Sequence, residues 1–476
     1  MKRQHTLLLA LSVSLFPGCP AGVDLGDLPE DTEGSAGDTT PTESDDAETG
    51  TSPDSDSAGG MPGCTGDEAC IGEDGTSGTC QPNGECSYPD PACPTGQTYG
   101  PEAGDLAGQC VPPFGVVDSL DVLFIIDDSG SMGLAQAQLQ RSTPAIVAGL
   151  EATGLDYRIG ITTTDDSNFW CNGLPAAPES GRLVRSSCRQ RLGDFTNSDY
   201  QDEACLEQCS FDTLPLAADA TDPWLSPNDI EGDATMAEVL SCALPQGVGG
   251  CGFESPLESM WKPPRRAEDP AAPEFGFLRP NAHLAIVLVS DEVDCSPTTQ
   301  EIFDEAGSRT FWSMPDQQSS PTSAVCWNAA VECQGDPSGY DSCVPANKAV
   351  DGSPATDDNA VMRPLSRYRD LFDELRNGKV GGGEVYVFGL LGVPTDYQSP
   401  ADINYAQGPD ADEAFSFQTL FGTAPGCASE VTEAVPPVRM LSLIEETPHA
   451  GPGVYSICAN DYADYFGDMF SEISGG

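Results

Sequence analysis

Residues 120–131 read Leu-Asp-Val-Leu-Phe-Ile-Ile-Asp-Asp-Ser-Gly-Ser, an apolar run of strand length that ends abruptly in acids and hydroxyl residues. A nearly continuous apolar run of this length is typical of a central parallel strand that is buried on both faces. Two similar runs occur at residues 283–290 and 384–391, and residues 157–164 are predicted to form a further strand. The sequence therefore predicts a sheet with a buried, parallel centre.

Helical patterns lie between these strands. Residues 134–150 predict a helix that is kinked near Pro144, because proline removes an interior backbone hydrogen bond. Apolar residues fall on one helical face at residues 365–375 and again at 462–473, after a short strand predicted at 453–458. Strands that alternate with helices predict an α/β fold with a doubly wound, mostly parallel sheet.

Three connections in this α/β region are unusually long and are predicted to be insertions, near residues 165–230, 295–360 and 396–435. The chain has 19 cysteines, and without Cys19 the remaining eighteen would form nine disulfides in an oxidising compartment. Zinc is the rival use, but the chain has three histidines and no Cys-x-x-Cys pair. The insertions contain eight of these cysteines and are expected to be cross-linked by disulfides: Cys171, Cys188, Cys205, Cys209, Cys326, Cys333, Cys343 and Cys427.

Residues 1–18 are predicted to be an export signal, with a short basic start and an apolar run at 7–16 that is too short to span a bilayer. The end of this run, Phe-Pro-Gly-Cys, resembles a bacterial lipobox, which implies that Cys19 is acylated. Because Pro17 departs from the usual small residue, cleavage nearby without lipid is the alternative. An exported protein held by lipid at the outer membrane or cell surface is expected, since no later stretch predicts a transmembrane helix.

Two segments precede the α/β region. Residues 19–63 hold twelve acidic residues and no Lys or Arg, which predicts a disordered, extended tether. Residues 64–112 hold six cysteines and few apolar residues, so disulfides must replace a hydrophobic core there. This segment resembles small cysteine-rich modules of secreted bacterial proteins, and it is either a spacer or a second binding module.

The charge of the chain restricts its partners. A net charge of −56, from 76 acidic and 20 basic residues, disfavours binding to nucleic acid or to anionic lipid. Membrane contact is therefore expected only through the N-terminal lipid. The acidity serves either solubility or an affinity for divalent cations.

Hydroxyl and carboxylate side chains follow the first strand. Alternate residues of an extended turn can point the same way, so Asp127, Ser129 and Ser131 can present three oxygens to one point. Hard oxygen ligands suit Mg²⁺, Mn²⁺ or Ca²⁺ rather than zinc. Asp291 follows the strand at 283–290, where it could complete the shell directly or through water. The alternatives are a turn that binds its own backbone and an Asp291 that caps a helix.

An Asp-x-Ser-x-Ser motif after an apolar strand, with a later strand that ends in Asp, resembles the metal-ion-dependent adhesion site of von Willebrand factor type A domains. The resemblance covers roughly residues 118–474 and also includes integrin inserted domains. It implies a doubly wound sheet and a divalent cation, most readily Mg²⁺, with Ca²⁺ or Mn²⁺ possible. It also implies an open metal position for an acidic side chain of a protein partner, with Asp127, Ser129, Ser131 and Asp291 as ligands.

The threonine ligand of that family has no clear counterpart. The comparable stretch is 249–257, where Cys251 stands in its place and is predicted to be half of a disulfide. Glu254 is the candidate substitute, and water is the alternative. Three further acids are expected to be solvated loop residues, with a functional role as the other possibility: Asp165, Asp166 and Asp294.

These features predict a surface adhesion or protein-recognition module that is not an enzyme. A metal-independent scaffold of the cell envelope is the alternative, and the missing threonine favours it. An envelope hydrolase is disfavoured, because the chain has no Gly-x-Ser-x-Gly elbow and no phosphate-binding Gly-rich lysine motif. His283 begins its strand, opposite the end where a base would be needed, and His449 lies in a predicted loop.

Overall fold

A computed structural model describes most of the chain from Cys64 to Gly475. Inside that range it leaves out residues 65–68, 73–74, 82–84, 94, 112–116, 172, 175, 196–201, 409–412, 414 and 431. The predicted signal at 1–18, Cys19 and the predicted tether at 19–63 lie outside the described residues. Among the described residues, none of the helices is both long and apolar enough to cross a membrane.

The cysteine-rich segment forms a small antiparallel sheet of three strands. These are β1 (Thr79–Cys80), β2 (Cys86–Pro89) and β3 (Gln97–Tyr99). Its apolar cluster is small and centres on Tyr99, Ala103 and Val111. The segment is held by the disulfides Cys64–Cys80, Cys70–Cys86 and Cys93–Cys110. Covalent bonds thus take the place of a large core, as the composition predicts.

The α/β region is built on a five-stranded sheet in which every neighbouring pair is parallel. Its strands are β4 (Ser119–Ile126), β5 (Asp156–Thr163), β6 (Ala282–Val289), β9 (Val385–Leu391) and β12 (Val454–Ser456). The spatial order is β12-β9-β6-β4-β5. The chain therefore moves from β4 to one side and returns to the other, which leaves a crevice between the carboxyl ends of β4 and β6.

Helices cover both faces of this sheet. Apolar side chains of β4 alternate between two cores, so Phe124 faces one core and Leu123 faces the other. The first core is covered by α1 (Gly133–Arg141), α2 (Thr143–Thr153), α3 (Met236–Ala243) and α9 (Ala463–Gly475). The second is covered by α4 (Pro256–Glu268), α5 (Ala324–Ala330), α6 (Ser366–Asn377), α7 (Phe417–Phe421) and α8 (Val438–Ile444). The doubly wound α/β fold is confirmed.

One predicted helix is wrong in detail. Residues 134–150 do not form one kinked helix, because α1 ends at Arg141 and α2 begins at Thr143. Pro144 lies in the first turn of α2, where its missing N–H is not needed. The Ser142 hydroxyl donates a 3.0 Å hydrogen bond to the Gln138 carbonyl at the junction.

The long connections carry short elements and disulfides. They include two antiparallel pairs of strands, β7 (Val331–Asp336) with β8 (Gly339–Pro345), and β10 (Cys427–Ala428) with β11 (Glu433–Ala434). Six disulfides fasten this region: Cys171–Cys251, Cys188–Cys205, Cys209–Cys242, Cys295–Cys326, Cys333–Cys343 and Cys427–Cys458. With the three of the cysteine-rich segment, they confirm the predicted nine.

Candidate metal centre

The carboxyl ends of β4 and β6 lie side by side. Ile126 pairs with Val289 at the last register position, and the Asp127 N–H donates to the Val289 carbonyl at 2.9 Å. Asp291 follows β6 by two residues. The fold therefore brings together the two strand ends on which the sequence places its acids.

A chain of hydrogen bonds links three of the predicted ligands. The Oγ atoms of Ser129 and Ser131 are 3.1 Å apart, and Ser131 Oγ donates to Asp291 Oδ1 at 3.0 Å. Ser131 is exposed, whereas Ser129 and Asp291 are each 2% exposed. The cluster thus opens to solvent at Ser131.

Asp127 lies at the base of this cluster and is fully buried. Its Oδ1 accepts from the Ser129 N–H at 2.9 Å, and its Oδ2 accepts from Ser290 Oγ at 2.6 Å. The Asp127 side chain therefore does bind the backbone of its own turn, which is the alternative to metal binding. The same turn also places Ser129 and Ser131 in line with Asp291. Gln136 supports the turn by donating to the Asp127 carbonyl at 2.8 Å.

Thr432 is a member of the cluster that the sequence does not reveal. Its Oγ1 donates to Asp291 Oδ2 at 2.6 Å, from the loop between β10 and β11. The Val435 N–H donates to the Asp291 carbonyl at 2.8 Å, which fixes the same loop beside β6. No helix begins directly after Asp291, since the next helical element of the described chain starts at Gln300, so the helix-cap alternative for Asp291 is wrong.

Glu254 reaches the centre from the loop before α4. It is fully buried, its Oε2 accepts a short hydrogen bond from the Thr164 hydroxyl, and its Oε1 has no partner. Burial raises the pKa of Glu254 well above its usual value, and the charges of Asp127, Asp128 and Asp165 raise this pKa further. Cys251, in the same loop, is bonded to Cys171, so its predicted disulfide is confirmed.

Two acids next to the predicted ligands are also part of the site, although the sequence does not predict them. Asp128 and Glu292 are 1% and 7% exposed, and each has a carboxylate oxygen without a hydrogen-bond partner, Oδ1 and Oε2 respectively. Burial raises the pKa of both carboxyls well above the usual value, and the neighbouring Asp127 raises them further. Asp128 and Glu292 directly follow the predicted ligands Asp127 and Asp291 in the sequence. The sequence of a turn does not show whether such a neighbouring side chain points into the protein or into solvent.

The three acids expected to be solvated are not. Asp165 is 2% exposed and accepts from the Ser167 N–H at 3.0 Å. Asp294 is 1% exposed and pairs with Arg439 at 2.9 Å. Asp166 is partly buried against the Lys262 ammonium. The fold therefore buries Asp165 and Asp294 and partly buries Asp166.

Six buried carboxyls therefore surround the crevice: Asp127, Asp128, Asp165, Glu254, Asp291 and Glu292. None of them forms an ion pair with Lys, Arg or His in the part of the chain that the structure describes. Burial raises the pKa of Asp291 to about 7, and the charge of Asp127 adds to this effect. Buried negative charge without a basic partner must be neutralised by protons or by a cation.

The donor set fits a hard divalent cation. Its atoms are carboxylate and hydroxyl oxygens, which suit Mg²⁺, Mn²⁺ or Ca²⁺. Among the described residues, sets of three Cys, His, Asp or Glu ligand atoms within 4.8 Å of one another consist of disulfide-bonded cysteines. An ion in the crevice would therefore use two carboxylates together with hydroxyls such as those of Ser129 and Ser131.

The histidines lie elsewhere. His283 is the second residue of β6, at the opposite end of the strand from Asp291, and its Nδ1 accepts from the Glu384 N–H at 3.1 Å. His449 lies in the loop before β12, where Nδ1 is 3.2 Å from Glu472 Oε1. Neither histidine is part of the crevice.

Comparison with family models, curated proteins and solved structures finds no match to this chain. The class defined by fold and site is an α/β protein with an acidic, hydroxyl-rich crevice at the switch point of its sheet.

Proposed function

We propose that this chain is a von Willebrand factor type A-like recognition module that binds a protein partner through a divalent cation, most readily Mg²⁺. The observation that carries the proposal is the hydrogen-bonded row Ser129–Ser131–Asp291–Thr432 at the crevice between β4 and β6. Ligand sites of open α/β sheets lie at such a switch point. The Asp-x-Ser-x-Ser order and the later Asp support the family assignment.

Each residue has a defined part in this proposal. Asp127, Ser129, Ser131 and Asp291 would hold the cation, and Thr432 would orient Asp291 through its 2.6 Å hydrogen bond. Glu254 has an unpartnered Oε1 at the edge of this group, which is a further oxygen that a cation in the crevice could use. Bound here, a divalent cation supplies an electrophilic position for a carboxylate of the partner. Ser131 forms the open side from which that carboxylate would enter.

The setting of the module is part of the proposal. The nine disulfides support an oxidising compartment, and the lipobox-like sequence at Cys19 supports export with a lipid anchor at the bacterial surface. The net charge of −56 argues against nucleic acid as the partner.

Acetate tests the open coordination position directly. The full chain is loaded with Mn²⁺, and the carboxyl carbon of ¹³C-labelled acetate is followed by NMR. In wild type, acetate bound to the metal should broaden this signal, whereas Asp127→Ala should lose the ion of the recognition site and, with it, the broadening. Ser338→Ala, a hydroxyl deletion in the exposed β7–β8 turn, is the control and should behave as wild type.

A second function, a metal-independent scaffold of the envelope, is favoured by Cys251 in place of the family threonine. In that case, wild type and Asp127→Ala would give the same Mn²⁺ content and the same acetate line width. That result would refute the recognition proposal.

A further inference from the structure

The six buried carboxyls are more than one divalent cation can balance. An ion held by Asp127 and Asp291 neutralises two charges. Glu292 belongs to this first group, because it follows Asp291 directly and its N–H donates to Ser290 Oγ, which in turn donates to Asp127. Asp128, Asp165 and Glu254 remain.

These three acids form a second group on the other side of Asp127. Ile126 and Thr163 are paired at the ends of β4 and β5, and Asp128 and Asp165 each lie two residues beyond this pair. Glu254 joins them, because its carboxylate accepts a hydrogen bond from the hydroxyl of Thr164, the residue before Asp165. The second group is therefore a spatial cluster and not a set of scattered loop acids.

The loop before α4 closes over this second group. The Gly250 N–H donates to the Asp128 carbonyl at 2.9 Å, and a Cβ at Gly250 would lie 2.3 Å from Asp128 Cγ. Glycine is thus required for the loop to approach the Asp128 carboxylate. The disulfide Cys171–Cys251 holds the next residue of the loop in place.

Two oxygens in this enclosed space have no partner. Asp128 Oδ1 and Glu254 Oε1 are buried without a hydrogen bond, and their residues are at most 1% exposed. An unpartnered buried carboxylate oxygen is costly, and proteins retain such groups where an ion completes them. The Thr164 hydroxyl beside Glu254 adds a neutral oxygen of the kind that hard cations accept.

We propose that a second hard divalent cation binds among Asp128, Asp165 and Glu254, enclosed behind the cation of the recognition site. The carboxylate oxygens of the three residues do not all lie within 4.8 Å of one another. Two of the carboxylates therefore bind the ion directly, and the third binds it through water. This ion is structural, since its ligands have no exposed member comparable to Ser131. The inference needs the buried acids alone and does not depend on a protein partner.

Counting bound Mn²⁺ tests the proposal. The full chain is incubated with Mn²⁺, desalted to remove ions weakly held by surface acids, and weighed by native mass spectrometry. Wild type should retain two ions, while Asp291→Asn and Asp128→Asn should each retain one. Asp121→Asn is the matched control, because Asp121 is an equally buried acid at the other end of β4 that pairs with Arg279.

The outcomes separate this inference from the proposed function. One ion in wild type that persists in Asp128→Asn overturns the second site and leaves the recognition site standing. No retained ion in wild type overturns both. If Asp128→Asn fails to fold, Asp165→Asn takes its place, and two ions in that variant overturn the second site. Electron paramagnetic resonance should also show Mn–Mn coupling in wild type that is lost in either single-site variant.

Discussion

At the scale of single residues, the buried acids that the structure describes outside the crevice are all paired with arginine. Arg439 and Asp294 are 2% and 1% exposed and meet at 2.9 Å, so α8 is fastened to the loop after β6. Asp294 Oδ1 also accepts from Ser296 Oγ at 2.6 Å. Removal of one partner of such a buried pair strongly destabilises the protein, because the other charge is left in the interior without a partner.

Replacement of Arg439 by methionine should therefore lower the free energy of unfolding by about 3–5 kcal/mol. Arg369→Met is the matched control, since its pair with Glu446 is about two-fifths exposed on each side. That control should cost about 1 kcal/mol or less. Urea unfolding of the three proteins measures the difference, and equal midpoints for the two variants would contradict this account.

Lys379 gives the protein a pH dependence on the alkaline side. Burial lowers its pKa to about 8 beside Arg279, although the charge of Asp121 opposes the shift. The unfolded chain keeps the lysine proton up to about pH 10.4, so it binds more protons than the folded chain between these values. The free energy of unfolding should therefore rise between pH 8 and pH 10, by at most about 1.4 kcal/mol per pH unit.

Lys379→Met should remove this rise, and Lys379→Arg should remove it too because guanidinium stays charged throughout. Guanidinium chloride unfolding at pH 7.5 and pH 9.5 measures it. A rise of equal size in all three proteins would assign the effect to other groups.

At the scale of elements, one loop decides how the crevice is completed. The segment before α4 supplies Glu254, and the disulfide Cys171–Cys251 ties it to the loop after β5. The Ser255 N–H donates to the Thr164 carbonyl at 2.9 Å, and the Cys295 N–H donates to the Glu254 carbonyl at 2.6 Å. These bonds fix the position of Glu254 from both sides.

A Cys171→Ala/Cys251→Ala double variant should bind Mn²⁺ about tenfold more weakly or worse, because residues that orient metal ligands typically contribute that much. The matched double variant Cys333→Ala/Cys343→Ala, which opens the β7–β8 hairpin, should retain the wild-type affinity. Titration followed by electron paramagnetic resonance measures free Mn²⁺. An equal loss in both double variants would mean that the loop does not position the ligands.

The helices and strands that could be predicted share one property: each has a hydrophobic pattern within a single short stretch of sequence. Buried parallel strands are continuous apolar runs, so the 120–126 run corresponds to β4 with one added residue. The short helices α3, α5, α7 and α8 have eight residues or fewer, which is too short for a clear helical period.

The residues of the candidate site likewise fall into those with a local sequence pattern and those without one. Asp127, Ser129 and Ser131 are one motif, and Asp291 ends a recognisable strand, so all four could be predicted. Thr432 contacts Asp291 across 141 positions of sequence from within an insertion, and no local pattern indicates that contact.

At the scale of the whole molecule, the net charge of −56 acts on any acidic partner. A carboxylate that approaches the crevice meets long-range repulsion. At 0.1 M salt this repulsion is largely screened at distances greater than about 10 Å. Binding of acetate to the Mn²⁺-saturated protein should therefore strengthen when NaCl is raised from about 10 to 150 mM. The acetate line width measures this. A steady weakening with added salt would count against recognition of a carboxylate.

The disulfide connectivity bears on biogenesis. Six of the nine bonds join cysteines that are consecutive in the sequence: 93–110, 188–205, 209–242, 295–326, 333–343 and 427–458. In a chain delivered amino terminus first into an oxidising space, each of these bonds could form as soon as its second cysteine arrives, since no other cysteine lies between the two. Cys171–Cys251 is different, because it encloses two other bonds and must await the last of its four intervening cysteines. In such a chain, the bond that fixes Glu254 would be a late step of maturation, and the crevice would gain its final form only once Cys251 has arrived.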